Sequence, residues 1–555
     1  MKTDFNLSRR AVLMGGATMA GLAVCLNLIA EAAPTAEATP VSTTNGKLRG
    51  VMEDGVYEFR GVRYAQPPLG KLRFQAPQPV QSWTGETTAQ KYGQAAVQMR
   101  AGAGAAAYPG AVGPAMTEAY KPPAEDKPEG DEDCLVLNVY TRHTGPTGKK
   151  MPVMVWLHGG GFSYGQAALN IYRGHNLAKN HDVVTVGVNH RLNVFGYLGL
   201  DSAGVPGFDG SANAGMADIV MALKWVRDNI AQFGGDPGNV TIFGQSGGGG
   251  KVSILLAMPS AKGLFHKAVI QSGAGLRSTP KETAAKTAGE LLAKLNIAPA
   301  DAATKLAAMP TADILAAATA MGANRFSPSL DDKWLTRHPF DPGAPEQAAN
   351  IPLMIGHTKD EQTLYNVGNP KWAGTTDADC IAAADRSFPG KGQIAVDAFK
   401  RQFPDYPPKY ILMQVTGTVN SLRSHHMLAS RKSAQPAPVF AYVFAHDLPP
   451  DNFILKAPHT SELPYIMDNV KEAPLFAGAT PDDFAMGKMM SATWVSFATT
   501  GDPNGAAGLP KWPKFDPAKR PTMFFSNKSK VVEQPYPEIW KLIQDAPPNP
   551  NAPPL

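Results

Sequence analysis

Residues 240–250 limit the possible folds of this chain more than any other stretch of the sequence. They hold a G-x-S-x-G pattern centred on Ser246, after a short β-branched run and before a segment that can continue as a helix. The glycines at positions 244 and 248 permit a sharp turn and close packing of helix against strand. This order would expose the Ser246 hydroxyl at a helix N-terminus, where negative charge is favoured. Alone the pattern is weak, because a chain with 54 glycines can form it in an ordinary loop.

Other apolar runs alternate with helical patterns and indicate the fold class. Residues 152–157 are apolar throughout, as a buried parallel strand should be, and residues 217–233 have helical spacing. The full set of predicted strands is 48–52, 56–64, 134–140, 152–157, 183–188, 240–243, 268–270, 352–356 and 439–444. Strands that alternate with helices predict an α/β fold with a large, mostly parallel, twisted sheet and helices on both faces.

Composition and length indicate one large globular unit. With 43% apolar and 18% charged residues, the chain is neither disordered nor strongly charged, and its net charge is only +5. No nucleic-acid partner is therefore predicted. We expect one domain over residues 39–546 and a Pro-rich tail at 547–555. Within the domain, the Ala/Gly/Pro-rich and then acidic residues 95–131 are predicted to form a surface loop.

The N-terminus has the pattern of a twin-arginine (Tat) export signal. Paired arginines at residues 9–10 precede an apolar stretch broken by glycines, and cleavage candidates follow at Ala32 and Ala38. Residues 1–32 are therefore predicted to be a signal peptide that uses the Tat export machinery, with the mature protein periplasmic or secreted. A membrane anchor is disfavoured by the glycines, and a lipoprotein signal at Cys25 by the valine before it. We expect no stable membrane association after cleavage.

The cysteines and the motifs of the sequence indicate neither a disulfide framework nor a metal site. Of the three cysteines, only Cys134 and Cys380 would remain after signal removal, so at most one disulfide is possible. Neither C-x-x-C nor H-E-x-x-H occurs, and the sequence predicts no metal site and no cofactor.

A serine nucleophile needs a base, a group that orients the base, and donors for an oxyanion. Residues 158–162, His-Gly-Gly-Gly-Phe, follow an apolar strand upstream of the serine, and their glycines leave backbone N–H groups free to face a small anion. We expect Gly160 and Gly161 to be two donors of an oxyanion hole and Gly247 to be the third. The substrate pocket is predicted to include Phe162, Tyr164 and Gln245.

The residues alone leave the acid and the base open. Asp360 and Glu361 both follow the strand end at 352–356, and composition does not choose between them. His446 comes immediately after the last predicted strand, whereas His459 lies in a loop flanked by prolines. Either histidine fits the role of base.

Several motifs together resemble the type-B carboxylesterase/lipase family, the cholinesterase-like branch of the α/β-hydrolases. Glu132-Asp-Cys-Leu-Val-Leu-Asn-Val139 is similar to one family signature and Phe243-Gly-Gln-Ser-Gly-Gly248 to the active-site signature. Further family landmarks match residues 65–74, 233–237 and 500–504. The similarity extends from about residue 40 to about residue 527. It implies an α/β-hydrolase fold with long insertions around an active-site gorge, and an enzyme that hydrolyses carboxylic esters.

The resemblance also implies residue roles. The family's acid is the glutamate of a Lys-Asp-Glu stretch, which falls on Glu361, and its histidine precedes a Glu-Leu-Pro-Tyr segment, which falls on His459. The implied triad is Ser246, His459 and Glu361, working through an acyl-enzyme. Two scaffold ion pairs are implied as well: Arg73 with Glu132, and Arg191 with Asp218.

The sequence departs from the family pattern at three places. Gln245 replaces the usual glutamate before the serine; it can form hydrogen bonds but cannot raise the histidine pKa as a carboxylate would. Gly247 replaces the usual alanine and retains the N–H group. The usual partner of Cys134 is missing, since Ala95 and Ala96 stand near its expected place, so the loop that begins there lacks its tether.

Two alternative functions remain open at the level of the sequence. The same triad could hydrolyse carbamates, amides or lactones, because the triad does not select the bond. A binding protein without catalysis is the other alternative. It is disfavoured because such relatives usually lose triad members, and every member is present here.

Overall fold

The computed structural model describes residues 36–99, 108–123, 130–145 and 150–546, so the predicted signal peptide and tail lie outside the described residues. The strands in these ranges are β1 (Ala36–Glu37), β2 (Val41–Thr43), β3 (Gly46–Arg49), β4 (Val51–Glu53), β5 (Val56–Arg63), β6 (Glu86–Thr88), β7 (Val136–Thr141), β8 (Met151–Leu157), β9 (Val184–Val188), β10 (Gly235–Gln245), β11 (Lys267–Gln271), β12 (Leu353–Thr358), β13 (Val439–Phe444), β14 (Thr522–Phe525) and β15 (Lys530–Val532).

Twelve of these strands form one sheet in the order β1-β4-β5-β7-β9-β8-β10-β11-β12-β13-β14-β15. From β9 to β14 every neighbouring pair is parallel, and the pairs outside that block are antiparallel. Strands β2, β3 and β6 form a small second sheet. The predicted mostly parallel α/β architecture is confirmed. The predicted strand set omitted β1, β2, β6, β14 and β15, and its strand at 48–52 covers parts of both β3 and β4.

The helices connect the strands and cover the sheet. They are α1 (Val112–Ala119), α2 (His175–Asn180), α3 (Asn193–Tyr197), α4 (Ala214–Asn229), α5 (Gly247–Leu255), α6 (Lys281–Lys294), α7 (Ala302–Ala308), α8 (Thr311–Thr319), α9 (Thr363–Asn366), α10 (Asp377–Ser387), α11 (Gly392–Gln402), α12 (Pro408–Met413), α13 (Val419–Ser433), α14 (Leu463–Ile466), α15 (Pro474–Ala477), α16 (Pro481–Thr500) and α17 (Pro537–Asp545). Among the described residues, no helix has both the length and the apolar character that a membrane span needs.

Apolar side chains fill both faces of the sheet. In β8, Val153 and Val155 join the apolar cluster on one face, whereas Met154 and Trp156 join the cluster on the other. This alternation follows from the two-residue period of a strand, and the strand is apolar throughout because helices cover both of its faces. Helix α4 packs into the first cluster and α16 into the second.

The described ends of the 95–131 segment are not the surface loop that the sequence predicted. Ala95 and Val97 are buried, and the Val97 carbonyl accepts a hydrogen bond from Asn193 Nδ2 at 2.6 Å. The N–H of Asp131 donates to the Ala95 carbonyl at 2.9 Å, which ties the two ends of the segment together. The buried thiol of Cys134 is free. The hydrogen bond between Asp131 and Ala95 therefore joins the ends of this segment without a disulfide.

Candidate active site

Ser246 occupies a strained turn between β10 and α5. Its φ of 58° and ψ of −124° are unusual for a residue with a side chain, and the turn leaves the residue partly exposed. The flanking positions have no room for a side chain. A Cβ on Gly248 would lie 2.0 Å from the Leu157 carbonyl oxygen, and a Cβ on Gly244 would lie 2.6 Å from the same oxygen. This is the strand–turn–helix geometry that the sequence predicted.

The glycine loop that follows β8 lies against this turn. Gly160 and Gly161 adopt positive φ angles of 89° and 63°. A Cβ on Gly247 would lie only 2.0 Å from the Gly161 carbonyl oxygen, so the predicted oxyanion donors are adjacent in space. None of the hydrogen bonds between described residues uses the N–H group of Gly160, Gly161 or Gly247. Those donors are therefore available to a bound oxygen.

Glu361 holds the imidazole of His459. The carboxylate accepts a short hydrogen bond from His459 Nδ1, together with bonds from the Thr358 N–H at 2.9 Å and from Ser272 Oγ at 2.6 Å. Both side chains are buried. Because Nδ1 carries its proton toward the carboxylate, Nε2 is the nitrogen that can accept a hydrogen bond or a proton. Ser272, at the end of β11, is a site residue that the sequence analysis missed.

Asp360 and His446, the two alternatives that the residue patterns left open, have other partners. Asp360 is buried and accepts hydrogen bonds from Tyr406 Oη at 2.9 Å and Gln414 Nε2 at 2.6 Å. Its backbone N–H also donates to the Ala457 carbonyl, which fixes the loop that carries the base. His446 instead pairs with Asp483, with Nε2 2.9 Å from Oδ1.

Gln245 approaches the other ring nitrogen of His459. Its Nε2 lies 3.1 Å from His459 Nε2, while its Oε1 has no hydrogen-bond partner among the described residues. No hydrogen bond joins Ser246 to His459 between the described atoms. If His459 takes a proton from Ser246, its Nε2 must first exchange the amide hydrogen of Gln245 for the serine hydroxyl. Catalytic hydrogen bonds are commonly loose without substrate and tighten when it binds.

Charges around the imidazole favour its protonated form. Burial would lower the pKa of His459, but the charge and hydrogen bond of Glu361 outweigh burial and raise it above its ordinary value. The pKa of Glu361 shifts in the opposite direction. Burial would raise this pKa, but the charge and hydrogen bond of His459 outweigh burial and lower it. A second acid, Glu462, is fully buried nearby, and burial together with the Glu361 charge raises its pKa to about 7.

The Glu462→Gln substitution should move the acid limb of kcat/KM to lower pH. If His459 is the base, it must be neutral to accept the serine proton, and activity should then fall as pH drops through its pKa. Ionised Glu462 raises that pKa, but its own pKa of about 7 leaves it only partly ionised over the acid limb. Its removal should therefore lower the pKa of His459 and shift the limb down by a fraction of a pH unit. A pH–rate profile of the purified variant checks this. An unchanged limb, or one at higher pH, would show that Glu462 does not act on His459.

The three predicted pocket residues differ in their exposure. Phe162 is only 8% exposed, and its ring packs edge-on against Tyr197 beneath the glycine loop, so its place in the pocket stays a prediction. Gln245 is fully buried, with its Nε2 3.1 Å from His459 Nε2, and its place in the pocket stays a prediction. Tyr164 is 41% exposed beside Gly160, as a pocket wall requires. The sequence analysis missed Tyr365, which is 57% exposed with its ring centroid 5.5 Å from that of His459.

Both predicted scaffold ion pairs are present and buried. Arg73 Nη2 lies 2.7 Å from Glu132 Oε1, and Arg191 Nη2 lies 2.6 Å from Asp218 Oδ1. The first pair is bidentate and anchors the segment just before β7; the second joins the end of β9 to α4. Neither pair contacts the triad, so both belong to the scaffold.

One cluster away from the triad has the residue types of a metal site. Glu53, Glu58 and His175 have ligand atoms within 4.8 Å of one another. However, Arg60 and Arg173 both form ion pairs with the two glutamates. Because these cations already compensate the carboxylates, the cluster is a poor fit for a metal ion.

A serine at a strained strand-to-helix turn, a glycine loop beside it and a paired histidine and glutamate on later loops define an α/β-hydrolase. Residues 37–390 and 396–540 match the model of the carboxylesterase family. This chain therefore belongs to the carboxylesterase family, and its class is that of a carboxylic-ester hydrolase.

Relatives support that assignment over most of the chain. The para-nitrobenzyl esterase of Bacillus subtilis is 34% identical over 512 residues, which cover 90% of this chain and 97% of the relative. A carboxylesterase of Geobacillus stearothermophilus, solved at pH 6.2, superposes with a TM-score of 0.77 at 34% identity, covering 91% of this chain and all of that one. An esterase of Clostridium hathewayi described as hydrolysing aliphatic aromatic polyesters gives a TM-score of 0.74 at 34% identity, with 92% and 98% coverage.

Proposed function

We propose that this chain hydrolyses carboxylic esters through a triad of Ser246, His459 and Glu361. The observation that carries the proposal is the buried hydrogen bond from His459 Nδ1 to Glu361, on an imidazole whose other nitrogen lies 3.1 Å from the residue next to Ser246. A nucleophile, a base and a group that orients the base are thereby available within one cluster.

The reaction proceeds in two halves. Ser246 Oγ attacks the ester carbonyl while His459 Nε2 takes its proton, and the oxyanion accepts hydrogen bonds from the N–H groups of Gly160, Gly161 and Gly247. His459 then returns the proton to the leaving alcohol, which leaves an acyl group on Ser246. Water, deprotonated by His459, releases the acid and regenerates the serine.

Pre-steady-state kinetics test the covalent intermediate. With para-nitrophenyl butyrate, the purified chain should release a burst of about one nitrophenol per active site whenever deacylation is slower than acylation. Quenched samples should then carry the butyryl mass on the protein. Steady turnover in which neither a burst nor an acylated protein forms at any pH or temperature would contradict the acyl-enzyme.

The exposed tyrosines around the site favour esters with an aromatic group. Tyr164 lies beside Gly160 of the proposed oxyanion hole and Tyr365 lies beside His459, so an ester at Ser246 would have exposed phenol rings near it. Ring pairs contribute about 0.5–1.5 kcal/mol beyond buried area. That the Clostridium hathewayi relative is described as acting on aliphatic aromatic polyesters agrees with this preference.

The Tyr365→Leu substitution should weaken the preference for aromatic esters. We expect kcat/KM for benzyl acetate, relative to cyclohexylmethyl acetate, to fall by about 3- to 10-fold, because the two esters match in size and only one presents a π face. Tyr57→Leu, in β5 near the sheet edge, is the matched control and should leave the ratio unchanged. If Tyr365→Leu also leaves it unchanged, the ring does not recognise the substrate.

We also propose that residues 1–32 direct export through the Tat machinery, as the paired arginines suggest. Replacing both with lysine (Arg9→Lys with Arg10→Lys) should keep the enzyme in the cytoplasm of a host that has this pathway. Activity in periplasmic and cytoplasmic fractions measures the outcome. Equal export of the lysine variant would argue against this route.

A further inference from the structure

A lysine lies buried directly beneath the proposed oxyanion hole. Lys251, in the second turn of α5, has no exposed side-chain surface. Burial lowers its pKa to about 7, and no carboxylate of the described residues lies within ion-pair distance. Its Nζ donates instead to the carbonyl oxygens of His158 at 3.1 Å and Gly161 at 2.9 Å. Burying a lysine without an acidic partner costs folding free energy. Its position next to the turn that carries Ser246 therefore calls for a functional explanation.

The glycine loop needs such a restraint. Residues 159–161 are three successive glycines, which have more backbone freedom than any other residue type. An oxyanion hole accelerates the reaction only if its donors already point at the developing charge before the reaction begins. The loop must therefore be fixed by contacts outside itself.

The two bonds of Lys251 fall at the two ends of this loop. His158 precedes the glycines and Gly161 is the last of them, so one Nζ spans the segment that carries the proposed donors. The Phe162 ring lies 5.1 Å from Nζ, which gives the amine a favourable aromatic surface on another side. We infer that Lys251 is a positioning residue that clamps the glycine loop and so holds the oxyanion donors in place; this inference rests on the proposed function.

The glycine after the nucleophile fits the same arrangement. The carbonyl that Lys251 binds, that of Gly161, is the group that a Cβ on Gly247 would meet at 2.0 Å. With Lys251 holding that carbonyl close to α5, position 247 has no room for alanine. The clamp therefore accounts for the departure from the family pattern at Gly247.

Inhibitor binding separates positioning of the loop from general stability. A trifluoromethyl ketone forms a tetrahedral oxyanion adduct with the serine, whereas the matching methyl ketone binds chiefly as a ground-state analogue. For Lys251→Met we expect kcat to fall by about 10- to 100-fold with KM within about twofold, and Ki for the trifluoromethyl ketone to rise by a similar factor. Ki for the methyl ketone should stay the same.

The chain offers a matched control in Lys432. This lysine of α13 is also fully buried, burial lowers its pKa to about 8, and its Nζ donates to the Ala349 carbonyl away from the glycine loop. Lys432→Met should change the melting temperature as much as Lys251→Met does but leave kcat and both Ki values as in the wild type. A folded Lys251→Met enzyme with wild-type kcat and Ki values would overturn the inference.

If Lys251→Met does not fold, Lys251→Arg tests the same point, because it keeps donors but displaces them. It should raise Ki for the trifluoromethyl ketone relative to the methyl ketone, and an unchanged ratio would overturn the inference. Wild-type enzyme that forms no trifluoromethyl ketone adduct would instead contradict the proposed serine mechanism. The two failures are thus distinguishable.

Discussion

Ser246→Ala should reduce kcat for a short-chain aryl ester by a factor on the order of 10⁶. The nucleophile is lost, and the remaining oxyanion donors and binding contacts can only assist attack by water. The fold should survive, because alanine at a φ of 58° has much the same backbone strain as serine. Turnover and the melting temperature, measured on the same preparation, check both halves of this expectation.

A second serine controls for the loss of a hydroxyl group near α5. Ser260, just beyond that helix, has no hydrogen-bond partner for its Oγ among the described residues. Ser260→Ala should therefore retain wild-type kcat. A Ser246→Ala enzyme that is as active as Ser260→Ala would remove Ser246 from the mechanism.

Glu361→Gln should reduce kcat by about 10⁴-fold. The amide has nearly the same shape as the carboxylate, but it cannot stabilise the imidazolium that forms when His459 takes the serine proton. Its N–H₂ group can also present a hydrogen to Nδ1, which favours the wrong tautomer of the imidazole. KM should change little, because Glu361 is buried behind His459 rather than exposed to the substrate. Steady-state kinetics near neutral pH measure both constants.

Asp360→Asn is the matched control, since the two carboxylates are adjacent in sequence and both are buried. Asp360 bonds to Tyr406 and Gln414 and does not touch His459. Its replacement should lower the melting temperature, because a network around Lys359 loses its charge, and kcat should fall by less than about tenfold. The reverse ranking of the two variants would mean that the acid is misassigned.

The sheet could be predicted from the sequence because its central strands are buried on both faces and read as continuous apolar runs. The edge is harder. Strand β14 has only four residues, and β15 begins with an exposed lysine, so neither has a run long enough to stand out. Strand β15 is at the edge, where exposed side chains weaken the apolar pattern, whereas β14 beside it is apolar but too short to be recognised.

The prediction of the site rested on the order of the motifs along the chain and on the family resemblance. Residue patterns could not choose between Asp360 and Glu361, because the bonds that distinguish them come from distant parts of the chain, such as Ser272 Oγ. Lys251 and Tyr365 were missed for the same reason, since their roles depend on contacts across loops. The sequence could not predict the burial of Phe162, because the local pattern does not determine where a side chain points after a glycine with positive φ.

The nucleophile itself can be located by covalent labelling. A fluorophosphonate should modify the wild-type enzyme once, and peptide mapping by mass spectrometry should find the phosphonyl group on Ser246. The label should be absent from Ser246→Ala and still form, far more slowly, on Glu361→Gln. A folded wild-type protein that takes no label, or one that carries it on another residue, would contradict the account of this chain as a Ser246 hydrolase.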